Sequence, residues 1–116
     1  MNELLAHLVG DYFLQSHWMA NKKTSDIRVA FLHGFLYTLP FVFLTRNIVD
    51  LLIIATTHAI IDRYRLANWV ARVKNWNFKT HSGYPDDTPP WLWVWLMIVT
   101  DNTMHMLINH WVLMLK

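Results

Sequence analysis

The stretch Val29–Thr45, VAFLHGFLYTLPFVFLT, carries no formal charge, and its one histidine is His33. A run of about 17–25 mostly apolar residues is what crosses a bilayer as a helix. The stretch therefore predicts a spanning helix, kinked at Pro40. Outward from it, Trp91–Leu115 (WLWVWLMIVTDNTMHMLINHWVLML) qualifies in the same way. Leu4–Ala20 (LLAHLVGDYFLQSHWMA) and Ile48–Ile61 (IVDLLIIATTHAII) are marginal when read alone.

The basic residues decide between the readings. Lys22, Lys23 and Arg28 follow the first stretch, and Arg63, Arg65, Arg72, Lys74 and Lys79 follow the third. The other side of a four-span arrangement would carry only Arg46 and Lys116. That asymmetry is a positive-inside bias. The expected fold is all-α: one membrane domain over residues 1–116, a four-helix transmembrane bundle with spans at about 4–20, 29–45, 48–64 and 91–115. Loops at about 21–28 and 65–90 would be cytoplasmic, with both termini outside and the first span retained, placing the protein in a bacterial inner membrane as a multi-pass chain. Trp18, Trp91, Trp93 and Trp95 fall where spans would meet the cytoplasmic interface. Between spans three and four, Tyr64–Phe78 places Leu66, Trp69, Val70, Val73 and Trp76 at helical spacing, as an amphipathic interfacial helix would.

Composition narrows the function classes. Hydrophobic residues make up 54% and charged residues 16% of the 116, against roughly 25% charged in an ordinary domain. This leaves a membrane protein or, as the other reading, a very apolar helical bundle. The absence of cysteine excludes a disulfide scaffold, a thiolate zinc site and a cysteine nucleophile. A net charge of +2 gives nucleic-acid binding no support.

The polar residues inside the apolar stretches carry the chemistry. His7 and Asp11, His58 and Asp62, and Asp101 and His105 are three i, i+4 pairs, each on one helix face. Gln15 and Asn109 extend the first and last of these faces by a turn, and His33 stands alone in the second stretch. Ionisable groups inside apolar helices persist when they face inward and find partners. His7, His33, His58 and His105 with Asp11, Asp62 and Asp101 could hold one or two divalent metals. A metal-free relay or a structural network is the competing reading. Depth along the spans separates two tiers, on the order of 10 Å apart at 1.5 Å per residue. One site then requires staggered helices, and otherwise there are two.

The motifs HLVGDYFLQSHWMANKK, FLHGFLYTLP and THAIIDRYR, followed by a late Asp-x3-His, resemble an uncharacterised family of small bacterial and phage membrane proteins. The matching positions are His7, Gly10, Asp11, Gln15, His33, Thr57, His58, Asp62, Asp101 and His105, while His17 stands where that family often has Asp. The resemblance implies the membrane fold and the polar centre, with Gln15 and Thr57 in support, to which the spacing on the last helix face adds Asn109. A looser likeness is to small inner-membrane metal-dependent hydrolases. The function expected is an intramembrane metal-dependent hydrolase acting on a phosphoester or lipid-type substrate. Zinc is the first metal, with manganese or magnesium as alternatives. Asp11, Asp62 or Asp101 would serve as ligand or general base. The alternatives are a proton or metal-ion transport component and a non-catalytic factor that binds a host membrane protein. The expected partners are the lipid bilayer and a second copy of the chain.

Overall fold

The computed structural model describes residues 2–114. Leu115, the end of the fourth expected span, and Lys116, expected on the far face, lie outside the described residues. The fold is all-α. Helices α1 (Glu3–Leu8), α2 (His17–Lys22), α3 (Ile27–Thr38), α4 (Ile48–Tyr64), α5 (Leu66–Lys74) and α6 (Pro90–Met114) follow one another, with a π turn at Val9–Phe13 and a 3-10 turn at Leu39–Phe43.

Polar side chains set where the helices begin. Asn2, Ser16, Asp26 and Asn47 cap α1, α2, α3 and α4 by accepting the backbone N–H of Leu5, Met19, Arg28 and Val49. Each cap satisfies a donor that the first helical turn leaves without a partner. Helix α3 passes into the 3-10 turn at Leu39, beside Pro40, because proline removes an N–H and clashes with the preceding turn. Arg65 ends α4 and opens α5 in the left-handed region, with φ 51° and ψ 52°, which is uncommon for a residue with a side chain.

The expected spans do not form. Among the described residues, no helix is long and apolar enough to cross a membrane. The first stretch is cut into six-residue α1, a π turn and six-residue α2. The second gives a helix of 12 residues and the third one of 17, about 18 and 25 Å at 1.5 Å per residue, against a hydrocarbon core of roughly 30 Å. Helix α6 has the length, at 25 residues. Its polar run Asp101, Asn102, Thr103, His105, Asn109 and His110 denies it the apolarity. The transmembrane bundle, the inner-membrane location, the placement of the termini and the bilayer as partner are corrected accordingly. The stretch between the third and fourth expected spans does form a helix, α5, which buries Ala67 and Ala71 and leaves Trp69, Val70 and Val73 exposed; its placement at a membrane interface is corrected with the spans. Trp18, Trp91 and Trp95 are exposed and Trp93 half-buried on helices that do not span, and Trp76 is exposed in the turn after α5; their assignment to a membrane interface rested on the spans.

The largest helix pairing is α3 on α4, and α6 packs against α1, α4 and α5. Ala6, Tyr37, Phe41 and Ile54 form the apolar centre, with Leu44, Leu51, Val112 and Leu113 against it. Gly34 lets α3 approach α4 closely: a Cβ at this position would stand 2.6 Å from the Ala55 carbonyl oxygen. Such overlap with backbone costs about 1–3 kcal/mol in a packed interior, more than the better helix propensity of alanine returns. Gly34→Ala is therefore expected to lower stability by about 1–2 kcal/mol in urea unfolding. Unchanged or higher stability would show that the α3–α4 spacing is not set at this contact.

Candidate metal centre

Breaking the first stretch into short pieces is what assembles the centre. Asp11 lies in the π turn, His33 on α3, and His58 and Asp62 one turn apart on α4. All four are buried. One donor atom from each lies within 4.8 Å of the other three. His33 Nε2 is 3.1 Å from Asp11 Oδ1 and 3.7 Å from Asp62 Oδ2. His58 Nε2 is 3.6 Å from Asp11 Oδ1 and 3.1 Å from Asp62 Oδ2. Only the first of these contacts has the alignment of a hydrogen bond. Neither His58 Nε2 nor Asp62 Oδ2 makes an aligned hydrogen bond among the described residues; this is a costly state for His58 Nε2 inside a protein, while Asp62 Oδ2 is offset in part by its ion pair with Lys23. A buried His/Asp cluster able to coordinate a divalent metal is present.

Second contacts surround this group. Lys23 Nζ lies 3.0 Å from Asp62 Oδ2. His105 Nε2 stands between Asp62 Oδ1, at 3.3 Å, and Asp101 Oδ2, at 3.4 Å. His7 lies outside the four-residue group. Its Nδ1 is 2.6 Å from the Tyr37 hydroxyl and its Nε2 is 3.0 Å from Asn102 Oδ1, which leaves Asp11 Oδ2 3.9 Å away. Asn109 donates to the same Tyr37 hydroxyl at 2.7 Å. The Tyr37 ring stacks on the His58 imidazole at 3.8 Å between centroids, fixing its plane. Thr57 turns its hydroxyl back to the carbonyls of Ile53 and Ile54. Gln15 lines a cleft of about 270 Å³ that reaches Asp11, Asp62 and Asp101, with Lys23, Thr24, Arg65 and Asn102 on its walls.

Tyr37, Lys23 and Asn102 were missed in the sequence. Tyr37 follows His33 by the same i, i+4 spacing that singled out the other pairs, which is the signal that could have found it. In the sequence Lys23 stands out only as one charge of a basic loop. The two expected tiers merge because the chain between Val9 and Ser16 is not one straight helix, so counting residues from a span end misplaces Asp11.

The charges of the metal-free centre follow from burial and neighbours. Burial alone would raise the Asp11 carboxyl, but the hydrogen bond from His33 and the charges of His58 and Lys23 hold it at about 2. Asp62 is likewise held below the usual carboxylate range, its burial outweighed by His105, His58 and Lys23. Burial, together with the neighbouring His105, lowers His58 to about 4. At pH 7 His58 is thus neutral, the form that donates a lone pair to a metal. Burial would lower His105 too, but its bonds to Asp101 and Asp62 win and raise it to about 9.

Helices closing around buried His and Asp side chains define an all-α protein with an internal polar centre. The chain belongs to the family described as "Protein of unknown function (DUF3307)", which matches residues 1–115. The membrane character implied by the resemblance above is corrected by the helix lengths and polarity. No curated protein and no solved structure matches the chain.

His105 makes a pH prediction for the metal-free protein. Its pKa is higher folded than unfolded, so its contribution is fully present below the unfolded value of 6.5 and lost as pH rises towards about 9. Stability in urea should therefore fall by on the order of 1–3 kcal/mol between those limits. His105→Gln should flatten that limb. A wild-type protein equally stable at both ends would show that His105 is not held as an imidazolium.

Proposed function

We propose that the protein is a divalent-metal-binding protein whose ion is held by Asp11, His33, His58 and Asp62. The observation that carries this reading is the convergence of four buried donor atoms, two of them without hydrogen-bond partners. In a purely structural network these atoms would be expected to turn towards one another in aligned hydrogen bonds. A cation satisfies them together, and it offsets the repulsion between two carboxylates that share one pair of imidazoles.

Zinc is the first candidate. Four ligand atoms around a tetrahedral ion, at bonds of about 2.0–2.1 Å, stand roughly 3.3 Å apart. The four contacts between the His nitrogens and carboxylate oxygens run from 3.1 to 3.7 Å, which fits that spacing with small movements. Two carboxylates also suit manganese or magnesium, although two imidazoles favour zinc. Lys23 would leave Asp62 Oδ2 when an ion arrives, turning into the cleft it already lines. Tyr37 would keep its role of orienting His58 through the stacked ring.

The reading that the centre sits within a bilayer, as a lipid-acting hydrolase or as a route for ions or protons, is not retained, since it needed the spans. The same holds for a host membrane protein as partner.

Elemental analysis after purification without chelator, followed by zinc titration of the stripped protein, tests the proposal. Zinc is expected to bind and to raise the unfolding temperature. A His58→Ala, Asp62→Ala double variant is expected to lose both effects, with affinity reduced at least about 100-fold. A folded wild-type protein that takes up no divalent ion would contradict it.

A further inference from the structure

We propose that the centre has a second divalent-ion position, formed by Asp62, Asp101 and His105 and bridged to the first through the Asp62 carboxylate. The inference rests on the metal-binding reading of the first position. Asp62 presents its two oxygens in different directions: Oδ2 faces His33 and His58, while Oδ1 faces His105. His105 and Asp101 come one turn apart from α6, a helix that contributes nothing to the first position. One donor atom from each of Asp62, Asp101 and His105 again lies within 4.8 Å of the others. His105 and Asp62 are buried.

A carboxylate can ligate two cations at once, one through each oxygen, and paired ions in such centres stand about 3.5–4 Å apart. The placement of Asp62 between two sets of imidazole nitrogens is the arrangement this requires. The two positions differ in access. The first is enclosed by four protein ligands. The second has three, and Asp101 is a wall of the cleft with its side chain 31% exposed. Open coordination positions there face the cleft, where water or hydroxide completes the shell.

Charge sets the order of filling. Asp11, Asp62 and Asp101 face the Lys23 ammonium and the Arg65 guanidinium on the cleft wall, and His105 gives up its proton when it ligates, so the first divalent ion already outweighs the remaining negative charge of these groups. The second adds positive charge and needs an anionic oxygen in its open positions. It therefore binds more weakly than the first, and the cleft-facing ion is the one that exchanges.

Manganese(II) titration of the stripped protein, followed by equilibrium dialysis and electron paramagnetic resonance, tests the proposal. Wild type is expected to take up two ions per chain, with the isolated six-line signal of the first equivalent giving way to an exchange-coupled signal. Asp101→Asn, at the cleft wall, is expected to hold one ion and keep the six-line signal at saturation. His105→Gln serves as the second variant, each being checked for a native circular dichroism spectrum. One ion per wild-type chain at saturation, or two in folded Asp101→Asn, would overturn the second position and leave the first standing. No ion in wild type, with manganese or with zinc, would overturn both.

Discussion

Two carboxylates, Asp11 and Asp62, are buried against the same pair of imidazoles, and the rest of the structure is arranged around that demand. Removing ionised carboxylates from water costs several kcal/mol each unless cations and hydrogen bonds compensate. The compensation comes from His33 on α3 and His105 on α6 through hydrogen bonds and from Lys23 after α2 through its charge, while neutral His58 of α4 packs against both carboxylates. Four parts of the chain are thereby held to one point. The purely apolar centre, by contrast, is small, with Ala6, Tyr37, Phe41 and Ile54 as its fully buried members. Even there Tyr37 divides its surface between the apolar cluster and the polar centre, stacking on His58 and bonding His7 and Asn109 through its hydroxyl.

This arrangement explains why the first segment is irregular. A straight helix from Leu4 to Ala20 would carry Asp11 on a fixed rise from the capped N-terminus. The π turn at Val9–Phe13 and the break before the Ser16 cap change its course, so that Asp11 meets His33 while His7 reaches Tyr37. Single-turn π segments occur often at functional sites. Gly10 sits within this turn, and a Cβ there would lie 2.8 Å from the Tyr37 carbonyl oxygen. Glycine at position 10 is thus what allows the turn to lie against α3.

The helical class and the chemistry of the centre were legible because both rest on local spacing. Each i, i+4 pair places its members on one face whatever the tertiary structure, and His33, alone among apolar neighbours, had to turn inward. Helix length was not legible. Apolar runs show where burial is possible, but not that Asn2, Ser16, Asp26 and Asn47 would start new helices or that the chain would pass through a π turn. The charge asymmetry misled for a physical reason. Lys23 pairs with Asp62, Arg63 and Arg65 bond Thr24, and Arg72 holds the His81 carbonyl. Those basic residues cluster because they serve the centre's acidic side and tie down loops, which produces the same bias that a membrane would select.

The central claim is that Asp11, His33, His58 and Asp62 form one ligand set. X-ray absorption at the zinc edge, on protein loaded with one equivalent of zinc, tests it most directly. A shell of four nitrogen and oxygen atoms at about 2.0–2.1 Å is expected, with the outer-shell scattering of two imidazoles. That scattering should fall to one imidazole in His33→Ala. A shell of oxygen atoms without imidazole scattering, or one unchanged by His33→Ala, would contradict it.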